Sequence, residues 1–326
     1  MNKLKWLLVV LLLLGFVAIP QLPLASNKVL TVLIHVFIAG AMASSWNIVA
    51  GYAGQINLGH AAFFGLGFLT TRLLWLNGYP LVLGILAGSV VATIFALIIG
   101  APALRLRGAY FAIGTLALAQ ALNLTVSNVL PGNSALPSSE IVGYELGPRY
   151  YLQLGVLVLV VGVSYLLSRS RLGLGMVTVR EDEEAAQSIG VNAFRHKLLA
   201  FVLSAFFAGL TGSTFAYFHI SYYFRAAFAP VWTFDSVLVA FFGGIGTVTG
   251  PVVGALFYVV VRDVLATQLT NFHLIIFGMI FILVVLILPG GLMELWDRIT
   301  SLRDAGSPRP RAEVVVEPEG EPMEPV

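Results

Sequence analysis

The amino-acid sequence predicts an all-α, polytopic membrane protein with about ten transmembrane helices. Hydrophobic residues make up 58% of the chain and charged residues only 10%, and the mean hydropathy is +0.92. An ordinary soluble domain carries about 25% charged residues. Long stretches also lack the periodic polar positions that give a soluble helix its wet face. Glycine and proline interrupt several of these stretches, which predicts helices that are broken inside the membrane domain.

The apolar segments can be read directly from the sequence. They lie near residues 4–20, 29–49, 58–76, 81–102, 108–129, 150–168, 198–218, 233–248, 250–267 and 271–289. The first follows Lys3 and Lys5 as a signal peptide would, but residues 24–26 (LAS) form a poor cleavage site, so we expect a retained helix. Residues 233–250 either cross the membrane or form a re-entrant hairpin, and the sequence leaves both open.

Lysine and arginine placement predicts that both termini are cytoplasmic. With an inside N-terminus, the cytoplasmic segments hold Lys3, Lys5, Arg105, Arg107, Arg169, Arg171, Arg180, Arg195, Lys197, Arg298, Arg303, Arg309 and Arg311. The outer segments hold only Lys28, Arg72, Arg149, Arg225 and Arg262. This excess on one side follows the positive-inside rule. We therefore predict a membrane domain over residues 1–300 and, in the Pro-, Glu- and Arg-rich residues 301–326, a disordered cytoplasmic tail.

Several functional classes find no support in the sequence. The chain has no cysteine, so disulfides, thiolate chemistry and cysteine metal sites are ruled out. Its five histidines are scattered, which argues against a metal site or an intramembrane enzyme. Asp235, Arg262 and Asp263 fall near span ends, where we expect solvation or snorkelling rather than a proton relay. An ion-coupled secondary transporter, which needs ion ligands at mid-membrane depth, is therefore disfavoured, and no basic stripe suggests nucleic acid.

One long polar loop, residues 169–197, stands out among the apolar segments. Connections between helices are commonly about 2–8 residues long, so this loop exceeds what a simple connector needs. Gly173 and Gly175 are expected to break the chain, after which Val177–Ile189 is predicted to form one short helix. A docking element for a cytoplasmic partner explains this form better than a solvated spacer.

The side-chain pattern of that predicted helix supports the docking interpretation. Acidic residues near its start would be stabilised by the helix dipole, and they are Glu181, Asp182, Glu183 and Glu184. Gly190 stands where a C-terminal glycine cap is expected. Val179, Ala186 and Ile189 could form one apolar stripe.

Two glycine-rich segments could line a translocation path. The first, Gly51–Gly65, contains Gly54, Gln55, Asn57 and Gly59, and the second, Gly243–Gly254, contains Gly244 and Gly246. Unwound helices can present free backbone groups and dipoles to a transported substrate. The same glycines could instead permit close helix packing, with the amide side chains joining helices. Both interpretations remain open from the sequence. His60 is expected to be an interior residue rather than a metal ligand.

Four blocks of sequence stand out along the chain: residues 51–65 (GYAGQINLGHAAFFG), 180–201 (REDEEAAQSIGVN, then RHKLLAF from 195), 243–255 (GGIGTVTGPVVGA) and 288–292 (LPGGL). In sequence and in order, these blocks resemble the branched-chain amino acid permease family of bacterial ABC importers. Residues 105–112 (RLRGAYFA) resemble the "M" partner of the two unlike permease subunits. The loop at 130–137 (LPGNSALP) departs from the family's glycine-rich run, so urea or amide importers of the same family remain alternatives to a branched-chain amino acid importer.

The resemblance implies a function and a set of partners. It implies a permease subunit that imports amino acids, is not itself an enzyme, and works with a second permease, two ATPase subunits and an extracytoplasmic binding protein in the inner membrane. ATP and Mg²⁺ would bind the ATPase subunits, because this chain has no phosphate-binding G-x-x-x-x-G-K-[ST] motif and no cofactor of its own is expected. The residues implied in contact with the ATPase are Arg180, Glu181, Asp182, Glu183, Glu184, Ala185, Ala186 and Gly190.

Overall fold

The computed structural model describes residues 3–22, 25–136, 138–268, 276, 278, 279, 282, 286 and 290–294. These residues form helices and turns, with no strand among them. The helices are α1 (Lys3–Ala18), α2 (Asn27–Asn47), α3 (His60–Leu76), α4 (Leu81–Ala103), α5 (Ala109–Val129), α6 (Ser138–Val142), α7 (Leu146–Ser168), α8 (Arg171–Glu181), α9 (Glu183–Ser188), α10 (Ala193–Phe218), α11 (Phe224–Ala227), α12 (Val231–Gly243) and α13 (Gly250–Gln268). A short 3₁₀ turn follows α1 at Ile19–Gln21, and a π-helix continues α2 over Ile48–Tyr52.

Seven helical stretches of the described chain are long and apolar enough to cross a membrane. They are Asn27–Tyr52, Leu81–Ala103, Ala109–Val129, Leu146–Ser168, Ala193–Phe218, Phe224–Gly243 and Gly250–Gln268. The all-α polytopic class is therefore confirmed, whereas the predicted total of about ten helices is not. Most of the predicted segment 271–289, and the whole predicted tail 301–326, lie outside the described residues.

The middle of the bundle is built around α10, which packs against α2, α3, α4 and α7. Small residues allow these helices to approach closely, as is common in membrane bundles. A Cβ atom on Gly67 of α3 would overlap the carbonyl oxygen of Gly209 of α10, and one on Gly212 would overlap the carbonyl oxygen of Phe64. The glycines at these positions therefore set the distance between α3 and α10.

Replacing Gly67 with alanine is expected to destabilise the protein by about 1–3 kcal/mol, because the added methyl group forces α3 and α10 apart. The matched control is Gly162→Ala in α7, where a Cβ would meet nothing within 4 Å. The thermal unfolding midpoints of the two purified variants, monitored by size-exclusion chromatography, measure the difference in stability. Equal midpoints for the two variants would contradict this account of the contact.

The two ends of the bundle are each named after an arginine. At one end the buried guanidinium of Arg72 donates hydrogen bonds to Ser134 Oγ and to the carbonyl oxygens of Ala216, His219 and Ile220, at 2.8–3.0 Å. This end is called the Arg72 end. Helix α10 has 26 residues, so its other terminus lies about 39 Å away at a rise of 1.5 Å per residue. That opposite end carries α8 and α9 and is called the Arg180 end.

Helices α12 and α13 form an antiparallel pair joined by a turn at residues 244–249. A Cβ on Gly254 of α13 would overlap the carbonyl oxygen of Val239 of α12, and one on Gly243 would overlap that of Gly250. Gly250 and Gly254 thus serve close helix packing, while Gly246 lies in the turn. The stretch Phe224–Gly243 has 20 residues and is long enough to span.

Candidate functional site

The first glycine-rich segment interrupts the helical path at the Arg180 end. Helix α2 passes into the π-helix Ile48–Tyr52, and α3 does not begin until His60. Single π-turns within helices occur frequently at functional sites. Gly54 has a φ of +69°, a conformation that residues with a Cβ rarely adopt. The interruption predicted from the sequence is therefore present between α2 and α3.

The second interruption lies beside the first. Helix α12 ends at Gly243, and the turn that follows contains Gly244 and Gly246 with φ angles of +114° and +80°. A Cβ on Gly51 would lie 2.8 Å from the backbone nitrogen of Gly246. The backbones of the two interruptions are therefore nearly in contact, although almost 200 residues separate them in the sequence.

Asn47 joins the two interruptions through its side-chain amide. Its Oδ1 accepts a hydrogen bond from the Gly246 nitrogen, and its Nδ2 donates one to the Thr247 carbonyl oxygen, both at 2.8 Å. The side chain is buried, with 1% exposure. A buried amide that satisfies two backbone groups of another segment fixes the position of that segment. The last turn of α2 therefore holds the turn between α12 and α13.

Arg180, on the polar loop, contacts both interruptions. Its Nη1 donates a hydrogen bond of 2.6 Å to the Gly51 carbonyl oxygen. A Cβ on Gly54 would lie 2.8 Å from Arg180 Cγ, and one on Gly246 would lie 3.1 Å from Nη1. Its Nη2 also pairs with the carboxylate of Glu181. We call the set Asn47, Gly51, Gly54, Arg180, Gly244 and Gly246 the glycine junction.

A further glycine pair closes the glycine junction from the C-terminal side. Gly291 has a φ of +73°, and a Cβ there would lie 2.5 Å from the Gly244 nitrogen. A Cβ on Gly244 would lie 2.8 Å from the Gly290 carbonyl oxygen. Described residues from all four sequence blocks that carry the family resemblance thus meet at one end of the molecule.

The polar loop has a different helical structure from the predicted one. The single helix Val177–Ile189 is wrong, because the chain forms α8 and α9 with a break at Asp182. The Asp182 carboxylate accepts hydrogen bonds from the backbone nitrogens of Glu184 and Ala185, both at 2.9 Å, and so caps α9. Glu183 and Glu184 lie in the first turn of α9, as the dipole argument predicts, whereas Glu181 ends α8.

The glycines of the polar loop also need correction. Gly173 and Gly175 do not break the chain but lie inside α8. Both are packing glycines, since a Cβ would overlap the Leu167 carbonyl oxygen at the first and the His196 ring at the second. Gly190 has a φ of +89° and ends α9 as predicted, with its nitrogen donating to the Gln187 carbonyl oxygen at 3.0 Å.

The polar loop presents two kinds of surface. Val179 and Ala186 are buried together with Ala193, so they form part of the predicted apolar stripe. Ile189 is wrongly placed in that stripe, because it is 75% exposed. Glu183 pairs with the buried Lys197 at 2.7 Å and thereby ties α9 to α10. The other residues predicted to contact a partner are exposed around this anchor: Glu181, Asp182, Glu184 and Ala185.

The polar residues of the first interruption lie in different environments. Asn57 is buried, and its Oδ1 accepts a hydrogen bond from the Gly59 nitrogen at 2.9 Å. Gly59 packs on α5, since a Cβ there would overlap the Thr115 carbonyl oxygen. Gln55 is half-buried, and its side chain makes a weak 3.4 Å contact with the Ala53 carbonyl oxygen. Whether Gly54, Gln55, Asn57, Gly59, Gly244 and Gly246 line a path stays a prediction.

The different environments of Gln55 and Asn57 can be tested by matched substitutions. Asn57→Ala is expected to destabilise the protein by about 1 kcal/mol, because it removes the acceptor that orients Gly59. Gln55→Ala is expected to leave stability unchanged, because the Gln55 amide is held only weakly. The same substitution is expected to alter transport if Gln55 lines the path as predicted. Thermal unfolding and uptake rates measured on both variants check this pair. Unchanged transport in Gln55→Ala would contradict a path-lining role for this side chain.

Sequence reasoning missed the residues that connect the elements of the site. Asn47 was not singled out because it closes a long apolar segment and belongs to no motif. Thr233 of α12 caps α3, with its Oγ1 accepting a hydrogen bond of 2.8 Å from the Ala61 nitrogen. Thr115 of α5 accepts a hydrogen bond of 3.1 Å from the Leu58 nitrogen. A polar residue one turn before a glycine interruption was the available signal for Asn47.

Comparison with known proteins identifies the family. A family model described as the permease component of the branched-chain amino acid transport system matches residues 28–285. The chain belongs to this family. The permease is accordingly a multi-pass membrane protein of the ABC transporter class. No solved structure matches it.

Curated relatives agree with this assignment. The permease is 30% identical to the high-affinity branched-chain amino acid transport system permease protein LivM of Salmonella typhimurium, over 76% of this chain and 66% of that protein. It is 28% identical to LivM of Escherichia coli strain K12 over the same shares. It is also 27% identical to the nucleoside ABC transporter permease protein NupC of Lactococcus lactis subsp. cremoris, over 57% of this chain and 64% of that protein. The permease thus spans just under two thirds of these relatives' lengths.

Proposed function

We propose that this permease subunit imports branched-chain or closely related amino acids, using energy from separate ATPase subunits. The observation that carries the proposal is the contact of Arg180 with both interruptions of the glycine junction. The exposed part of the polar loop, α8 and α9, is suited to dock an ATPase, and Arg180 connects that part to the membrane helices. Family membership supports the same reading.

The proposed mechanism follows from this connection. ATP binding closes the ATPase pair and displaces α8 and α9. Because Arg180 is hydrogen-bonded to the Gly51 carbonyl oxygen, this displacement pulls on the π-helix after α2. Asn47 transmits the same movement to the turn between α12 and α13. The helices that meet at the glycine junction then shift together, and the permease alternates between inward-open and outward-open states with a second, homologous permease as its partner.

The proposal includes an orientation in the inner membrane. The Arg180 end faces the cytoplasm, as the positive-inside rule predicts, and receives the two ATPase subunits. The Arg72 end faces outward and receives an extracytoplasmic binding protein that delivers the amino acid. ATP and Mg²⁺ bind the ATPase subunits in this arrangement. In this proposal the nucleotide and the metal are held by the ATPase subunits and not by the permease.

Reconstitution distinguishes this proposal from an ion-coupled secondary transporter. The permease is assembled in proteoliposomes with its partner subunits and binding protein, and uptake of radiolabelled leucine is measured with and without internal ATP. We expect uptake only when ATP and the ATPase subunits are both present. Uptake by the permease alone, driven by an ion gradient, would contradict the proposal. ATP-driven uptake of uridine or urea instead of leucine would support an importer with a different substrate.

A further inference from the structure

A cavity of about 490 Å³ opens among the helices at the Arg72 end and extends along α2 as far as Met42. It lies between α2, the end of α10, the start of α12 and the second half of α13. Cavities that bind small molecules commonly enclose about 300–1,000 Å³ and combine apolar walls with a few polar groups. The size of this cavity is sufficient for an amino acid, and its lining residues determine which chemical groups it would bind.

Two opposite charges face each other in the cavity. The Asp235 carboxylate accepts a hydrogen bond of 2.6 Å from Tyr258 Oη through Oδ1 and one of 3.2 Å from Arg262 Nη1 through Oδ2. The expected solvation of Asp235 is therefore wrong, because only 22% of its side chain is exposed. Arg262 is 57% exposed, its guanidinium lies 5.8 Å from the centroid of the Tyr258 ring, and both of its hydrogen bonds with described residues use the same nitrogen, Nη1. Nη2 and Nε thus remain able to bind a carboxylate.

Most of the remaining wall is aromatic and apolar, although its lining also includes Thr31, His35, Ser236 and Asp263. Phe215 and Trp232 line the cavity with their ring centroids 4.9 Å apart, in an edge-to-face arrangement. Ile38 and Met42 line it from α2. Burial lowers the pKa of His219 to about 4, so this lining residue is uncharged at neutral pH. The cavity therefore offers two acids, Asp235 and Asp263, and one base, Arg262, at one side and mostly apolar surface at the other.

We propose that this cavity holds the transported amino acid, with the Asp235 carboxylate binding its ammonium group and Arg262 binding its carboxylate. The apolar side chain of the transported amino acid would pack against Phe215, Trp232 and Met42. The inference rests on the proposed import function and assigns that function a substrate site within this subunit. Ionisable residues inside a membrane protein commonly mark substrate pathways, because their burial is costly. A nucleoside or urea carries neither charge, so it would form no ion pair with these residues.

The absence of cysteine from the natural sequence allows a direct test. Ala39 lines the cavity on α2 and is replaced by cysteine in the full-length chain, which is held in lipid nanodiscs. The rate of alkylation by a small water-soluble thiol reagent is then measured with and without leucine. Leucine at ten times its dissociation constant is expected to slow labelling about tenfold. Ala135→Cys, exposed at the same end but outside the cavity, is the matched control and should label at an unchanged rate.

Ligand analogues and charge variants identify the recognised groups. We expect no protection from 4-methylpentanoate, which lacks the ammonium group, or from 3-methylbutylamine, which lacks the carboxylate. On the Ala39→Cys background, Asp235→Asn and Arg262→Gln are each expected to raise the leucine concentration for half-protection roughly 10- to 100-fold. Glu140→Gln, an exposed outer acid, is the control and should change nothing. Size-exclusion profiles confirm that each variant is folded.

Three results would overturn the inference: no protection by leucine, equal protection by 4-methylpentanoate, or protection by uridine that survives Asp235→Asn. The assembled importer separates this outcome from failure of the proposed function. ATP-driven leucine uptake that is normal in both Asp235→Asn and Arg262→Gln would overturn the cavity site and leave the import role intact. Protection by leucine without any ATP-driven uptake would support the site and contradict the import role.

Discussion

Replacing Arg180 with glutamine is expected to lower ATP-driven uptake about tenfold, while the amount of membrane-inserted protein stays unchanged. Glutamine is shorter and uncharged, so it loses the 2.6 Å charge-assisted hydrogen bond to the Gly51 carbonyl oxygen. Such a bond contributes about 1.5–3 kcal/mol when buried and less here, where the side chain is about one third exposed. A loss of 1.4 kcal/mol in the coupled state corresponds to about tenfold in rate.

ATP hydrolysis measured beside uptake reveals how Arg180 acts. If Arg180 transmits movement, its variant should still dock the ATPase and hydrolyse ATP, but hydrolysis should no longer drive uptake. The matched control is Arg171→Gln, which removes the same charge from an exposed position on the same helix. Normal uptake in Arg180→Gln, or an equal loss in Arg171→Gln, would show that the glycine junction does not carry the coupling.

The glycine interruptions and the extent of the polar loop were predictable because their signals are local. Gly54, Gly190, Gly244 and Gly246 all adopt positive φ angles in the structure, where a residue without a Cβ is favoured. Hydropathy likewise located most helices to within a few residues, since length and apolarity are properties of a single segment. The exception at α8 is instructive. Gly173 and Gly175 looked like chain breaks, but inside a packed helix the missing Cβ atoms serve contacts with Leu167 and His196.

At Asp182 two local signals compete: the helical pattern of the surrounding residues and the N-cap preference of aspartate. Residues 177–189 have a helical pattern, but aspartate is a strong N-cap because its carboxylate can bond the next turn's backbone nitrogens. In the structure the cap prevails, and Asp182 adopts an extended backbone with ψ at 111°. The break lets α8 hold Arg180 against the glycine junction while α9 presents its own exposed surface.

The meeting of distant segments could not be predicted from one sequence. Asn47 lies at the end of an apolar stretch and bonds residues that follow it by almost 200 positions. No periodicity or composition encodes such a pairing. The cavity at the Arg72 end has the same character, because Asp235 and Arg262 come from different helices and each alone resembles an ordinary residue at a span end. Span-end charges were therefore interpreted as solvated when one of them was mostly buried.

ATP-coupled uptake is expected to be abolished by charge reversal at Glu184, and equally by a bulky residue at Gly190. Neither change is expected to prevent membrane insertion. Glu184 is exposed in the first turn of α9 and makes no ion pair within the described residues, so Glu184→Lys changes the docking surface rather than the fold. Glu183 differs, since its pair with the buried Lys197 holds α9 in place. Breaking that pair would cost about 3–5 kcal/mol and disturb the loop itself.

Gly190 supplies the sharper comparison because its requirement is conformational. Nothing lies within 4 Å of a Cβ at this position, so the φ of +89° is the obstacle rather than space. Gly190→Val places a β-branched residue in a strained backbone conformation, which costs about 1–2 kcal/mol. The substitution should therefore displace the end of α9. Gly190→Asn is the matched control, because asparagine tolerates positive φ best among residues with a Cβ. Uptake measured in proteoliposomes should therefore be lost in the valine variant and largely kept in the asparagine variant. Equal uptake in the two would mean that the shape of α9 has no part in receiving energy from the ATPase.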